Sequence, residues 1–265
     1  MFYFGWLHAY WFCIYFGVNS TSLGFTTQDY LMRSVDAFVV PLTVAVGLSL
    51  IVIAADRRLL QSDRAGGQWS LRVAEGLATV VGLVLLVIGM AYVVGASLIP
   101  GDVIPALSLA IGALSLPYAA TLRRRRVGSG APAATAALAV WVATFVLVGV
   151  GLFLAIGDYS ARVGTGRAQA TVTKLAGSPS VILFSTRGLA LTYTGAQETV
   201  CPGIEGTYRY RYDGLKLILQ SGNTYMLIPE RWSPANGQAI LLPRQDGVRL
   251  DYSAPGSAVP PPACH

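Results

Sequence analysis

Charge is what this chain is short of. Of its 265 residues only 12% are Asp, Glu, Lys or Arg, while 54% are hydrophobic; a soluble domain carries about twice that charged share. A fold of this size in water needs a charged skin, and there are too few charges to make one. The reading that remains is that lipid covers much of the surface. Lysine is nearly missing as well: Lys174 and Lys216 are the only two, so arginine carries the net charge of +6. That bias reads as a high-GC bacterial genome rather than a binding signature, and no nucleic-acid partner is expected. Histidine is confined to His8 and His265, which leaves no Ser-His-Asp or Cys-His set to assemble. No phosphate loop, CxxC pair or HExxH helix occurs, so neither cofactor nor metal is expected. The carboxylates Glu198, Glu205, Asp213, Glu230 and Asp251 are scattered without the pairing a glycosidase uses.

What is present in quantity is long apolar runs. Ala37 to Ala55, Gly76 to Ser97, Val103 to Leu122 and Val127 to Gly157 contain no Asp, Glu, Lys or Arg. Each reaches the roughly 20 residues that a helix needs to cross a hydrocarbon core. A fifth candidate, Phe2 to Val18, is short, rich in aromatics and interrupted by His8. Trp and Tyr favour the membrane interface, so this segment either spans at a tilt or lies partly among headgroups; it is counted as a span. It lacks the basic start and small-residue cleavage site of a signal peptide. Within the strong spans, small residues recur four apart at Ala78 and Gly82, Ser108 and Gly112, and Ala139 and Ala143, a spacing that lets helices approach closely in lipid. None of the four carries an ionisable residue at mid-depth, which disfavours an ion-coupled carrier.

The arginines orient these spans. Arg57, Arg58, Arg64 and Arg72 follow the Ala37 run, and Arg123, Arg124, Arg125 and Arg126 follow the Val103 run; the loops on the opposite side, Asn19 to Ser34 and Leu98 to Asp102, carry only Arg33. Short loops rich in Lys and Arg stay in the cytoplasm, so these eight arginines are read as topology determinants rather than as a patch for nucleic acid or anionic lipid. With five spans the N-terminus is cytoplasmic, and everything after Asp158 lies outside the cell membrane.

Beyond Gly166 the pattern changes to short alternating runs. "AQATVTKLA", "SVILFST", "LALTYT", "TYRYRY", "LKLILQ", "TYMLIP", "AILLP" and "VRLDY" read as about eight strands, separated by turn signals such as Asp213-Gly214, Ser221-Gly222-Asn223, Asn236-Gly237 and Asp246-Gly247. The fold expected is an α-helical membrane bundle of about five transmembrane helices, residues 1–157, followed by a small all-β sandwich or barrel, residues 158–253. A Pro-rich tail covers residues 254–265. Leu215 to Pro229 is the firmest hairpin. In Tyr208, Arg209, Tyr210, Arg211 and Tyr212, a period of two separates the tyrosines from the arginines. The row is read either as a ligand surface, aromatic on one face and cationic on the other, or as one half-buried strand. Cys201 and Cys264 both fall outside, where oxidation is allowed, and form the candidate disulfide; spacing alone does not establish geometry.

"YFGVNSTSLGFTTQDYL" after the first apolar segment, with Phe16, Gly17, Val18, Leu23, Gly24 and Tyr30, and the later "YRYDGLKLIL…YMLIPERW…ILLPRQDGVRLDY", with Trp232 and Arg249, resemble uncharacterised multi-pass membrane proteins of actinobacteria with a C-terminal extracytoplasmic β domain. The resemblance implies a cell-membrane protein and brings no activity or catalytic residue with it. The function expected is that of a non-enzymatic membrane protein whose outer β domain binds a protein partner or envelope ligand, as accessory, sensor or scaffold. An oligomeric pore or transporter component and an envelope hydrolase are the alternatives. The expected partners are the lipid bilayer and a membrane or envelope protein.

Overall fold

The computed structural model describes residues 1–64, 68–96, 103–128, 133–191, 195–201, 208–235 and 237–255, without the side chains at a number of positions between 36 and 71. Five helices come first: α1 (Phe2–Tyr15), α2 (Thr27–Arg64), α3 (Gln68–Val93), α4 (Val103–Val127) and α5 (Ala134–Thr173). Six strands follow: β1 (Ser180–Ser185), β2 (Gln197–Val200), β3 (Tyr210–Ser221), β4 (Thr224–Pro229), β5 (Ile240–Pro243) and β6 (Val248–Ser253). The chain divides into two compact units, but not at residue 157. One unit is Met1–Val35 together with Ala161–His265, and the other is Asp36–Ser160.

The second unit is helical, with α4 at its centre. Pro105, Ala106, Ser108, Leu109, Ala110, Gly112 and Ala113 are buried, and close backbone approach explains why so many are small. A Cβ on Gly112 would come within 2.6 Å of the Leu86 backbone, and one on Gly151 within 2.8 Å of the Ala110 backbone, so only glycine allows α3 and α5 to sit this near to α4. Gly82 meets Gly112 and Ser115 in the same contact, as the small-residue spacing predicts for those two pairs. Ala139 and Ala143 are instead exposed among the described residues. Thr27–Ile51, Arg72–Val93, Val103–Val127 and Ala134–Thr173 are long and apolar enough to cross a membrane.

The first segment, expected as a fifth span, is not among the four helices long and apolar enough to cross a membrane. At 14 residues α1 is about 21 Å long, short of the roughly 30 Å of a hydrocarbon core. Its buried residues Phe4, Gly5, His8, Ala9, Phe12 and Cys13 repeat at four-residue spacing, the signature of one packed helix face. That face belongs to the first unit. Gly5 lies against the Tyr30 and Ser34 backbone of α2, and Gly164 of α5 lies against the backbone of His8. Phe12, Cys13 and Phe16 then share a core with Ala168, Leu175, Met226, Ile228 and Trp232.

The strands join into one antiparallel sheet of order β5-β4-β3-β1-β6, with β2 also paired to β3. Its second core gathers Val181, Leu183, Tyr212, Leu215, Leu227, Ile240 and Leu242, closed over by Leu191 and Ala196 from the β1–β2 connection. The eight expected strands differ from this sheet at three places. "AQATVTKLA" is the end of α5 and a 3-10 turn, Leu175–Gly177, because Ala168 and Val172 pack under the sheet at helical spacing. "TYRYRY" and "LKLILQ" are one strand: Asp213-Gly214 is a β-bulge, with Gly214 at φ +79 and the β1–β3 register slipping by one residue there. In "LALTYT", Leu189 and Ala190 are not strand, and residues 192–194 lie outside the described residues. The hairpin expected at Leu215 to Pro229 is present, with Ser221 facing Thr224 and Gly222 at φ +51, the position at which a type II′ turn requires glycine.

Candidate functional site

Tyr212 is fully buried, and its hydroxyl accepts the Leu189 N–H at 2.6 Å. Burial holds that hydroxyl above the ordinary tyrosine pKa. Tyr210 is half-buried beside Gly188, and Tyr208 precedes the strand with its ring 6.1 Å from that of Phe184. On the opposite face Arg211 is committed to Asp213, at 2.7 Å from Nη2, while Arg209 is exposed. Across Phe184, Arg249 repeats the arrangement with Asp251 at 2.6 Å. Tyr210 and Tyr212 thus pack into the core of the sheet, and Arg211 pairs with Asp213 two residues along.

A different place in the sheet gathers polar side chains. On one flank of β3, β2 pairs with Tyr210–Asp213 and β4 with Leu215–Ser221, so β2 and β4 lie end to end with the Gly214 bulge between them. The Glu230 N–H donates to the Gly214 carbonyl at 2.9 Å and closes the joint. Along the far edge of β4, β5 pairs only with Thr224–Leu227. A groove of about 540 Å³ opens at the joint. Gln197 lines it from β2 and Gly195 from the turn before it, Glu230 and Arg231 from just after β4, and Ser233 and Gln238 from the connection to β5. Gly214, Pro229, Trp232 and Gly237 complete the lining.

Two kinds of polar group meet there. Glu230 is occupied: Lys216, only 5% exposed, approaches its carboxylate at 3.3 Å, and the Ser180 hydroxyl donates to it at 2.7 Å. Lys216 also donates to the Ser178 carbonyl and to Ser180 Oγ, at 2.7 and 2.9 Å. Two hydrogen bonds and one ion pair thus hold the ammonium group. Ser180, giving its proton to a carboxylate, is not set up as a nucleophile. By contrast the side chains of Gln197, Arg231, Ser233 and Gln238 make no hydrogen bond or ion pair among the described residues. Trp232 is 94% buried by exposure of 6%, yet its indole N–H has no acceptor. Its ring is clamped by Phe16 and Tyr15, at 5.0 and 5.8 Å, and the Gly237 backbone packs against Nε1 so closely that a Cβ would collide.

The arginines expected to orient the helices lie at helix ends. Arg57, Arg58 and Arg64 are on the last turns of α2, and Arg72 is on the first of α3; the side chains of Arg58 and Arg64 lie outside the described residues. Arg123, Arg124 and Arg125 are exposed at the end of α4. Arg126 instead ties α4 to α3 through Glu75, 3.2 Å away. At the other end of the bundle the Tyr92 hydroxyl donates to Asp158 at 2.7 Å, joining α3 to α5. Cys201 is disulfide-bonded; Cys264, its expected partner, lies outside the described residues with the rest of the tail beyond Pro255. Among the described residues no three His, Cys, Asp or Glu side chains converge as metal ligands do. Sequence reading missed the groove because "QETV" carries no strand alternation and Asp213-Gly214 reads as a turn. The signal that was available is an unbroken apolar alternation on both sides of that dipeptide. No family model, curated protein or solved structure matches the chain.

Proposed function

We propose that the protein is a non-catalytic membrane protein of the cell envelope whose sheet-bearing unit binds a ligand or protein partner outside the cell, through the groove where β2 and β4 abut. The observation that carries this reading is the groove's content: four polar side chains and a buried indole N–H with no partner of their own, around glycines that admit close backbone approach. Buried polar groups are satisfied in the great majority of cases, so an unsatisfied one beside an open groove marks a place for an incoming acceptor.

Orientation follows from charge. Four spans put Arg57, Arg58, Arg64 and Arg72 on the same side as Arg123 to Arg126, and short basic loops stay cytoplasmic. The N-terminus and the sheet then share the outer side, in keeping with the core that α1 and the strands have in common. The outer face of α1 stacks Tyr3 on Trp6 and Trp6 on Tyr10, and α1 touches α2 at Tyr30 and Ser34, within two turns of the apolar run that starts at Ala37. Such a row suits the headgroup layer. The test is site-specific photocrosslinking in living cells from position 197 or 238, with position 252 on the edge strand as control. Adducts from 197 and 238 alone support the groove; adducts from all three alike, or from none, sink it.

A further inference from the structure

We infer that the group this groove takes is a carboxylate, on an extended ligand rich in amides or hydroxyls. The inference rests on the groove reading above. Lys216, which is not part of the lining, pairs with Glu230, so exposed Arg231 is the charge of the lining left without a counter-charge among the described residues. A guanidinium presents a planar fork of donors that matches a carboxylate, and such charge-assisted bonds are about twice as strong as neutral ones. The next residue, Trp232, supplies a donor-only N–H that lacks an acceptor. Arg231 and Trp232 thus bring only donors to the lining, whereas the amides of Gln197 and Gln238 both donate and accept and fit the body of a peptide or a sugar. A cationic or uncharged end group would leave Arg231 without a counter-charge. Two envelope sources carry this chemistry: a peptide C-terminus and an acidic sugar.

The full-length protein in lipid nanodiscs is titrated with N-acetyl-alanyl-alanine and with glucuronic acid, each beside its own carboxamide, while the indole N–H signals are followed by NMR. At least one acid is expected to saturate with a Kd tenfold or more below that of its amide, and whichever acid does so identifies the source. Arg231→Gln is expected to remove that ratio without changing the thermal midpoint, and Arg231→Lys to restore part of it. Equal binding of acid and amide overturns the carboxylate assignment. So does the failure of both acids to bind while crosslinks from 197 and 238 still show the groove occupied in cells. Loss of those crosslinks is the separate result that removes the groove itself.

Discussion

Single side chains show how far burial sets chemistry in the sheet-bearing unit. Cys13 is fully buried, and desolvation pushes its thiol from 9.0 up to about 11 against a smaller downward pull from Arg33. The folded chain therefore holds that proton more tightly than the unfolded one. The associated stability is complete below pH 9 and disappears as pH rises toward 11. Tyr212, also raised from 10.0 by desolvation, acts in the same direction above pH 10. Denaturation of the detergent-solubilised protein should show an alkaline loss that Cys13→Ala makes smaller, and maleimide at pH 8 should leave Cys13 unmodified until the fold is opened. Lys216→Met should cost about 1–3 kcal/mol, since it strands a buried carbonyl and removes the cation from Glu230. Glu230→Gln, at a carboxylate whose side chain is 43% exposed, should cost less. The alternation of Tyr208 to Tyr212 was readable residue by residue. Its meaning was not, because a period of two says which residues share a face and nothing about what lies against that face.

At the level of elements, what could be read was whatever a local pattern determines. The hairpin at Ser221 to Thr224 and the four long apolar helices follow from turn chemistry and run length. Elements whose identity depends on distant neighbours were misread. Nothing local in Phe2 to Tyr15 distinguishes a short span from an amphipathic cover, as every side of that helix is apolar or aromatic and the partner strands lie far along the chain. The Thr-and-Ala alternation at the end of α5 has the same defect, and the underside of the sheet decides it. Two substitutions probe these contacts. Gly222→Ala should lose about 1 kcal/mol or more in equilibrium unfolding, because φ is +51 and the new Cβ would sit 2.8 Å from the Gly24 carbonyl. Gly164→Leu forces α1 off α5 and should cost about 1–3 kcal/mol, read as earlier thermal unfolding and faster proteolysis of the sheet-bearing unit.

For the whole molecule, the sidedness of the two ends is the sharpest expectation. Protease added to intact cells should remove an N-terminal epitope tag as readily as it reaches the sheet, while tags inserted at 65–67 and 129–132 stay protected. Protection of the N-terminal tag would overturn the four-span arrangement. The core that α1 shares with Met226, Ile228 and Trp232 also has a consequence in time. Its two halves are about 210 residues apart in the chain, so the earlier half must wait for the later one to leave the ribosome. At 5–20 residues per second that delay is roughly 10–40 s. Throughout it, the ring-covered underside of the first helix has no native lining, and the cell's insertion machinery or the lipid surface itself must shelter it.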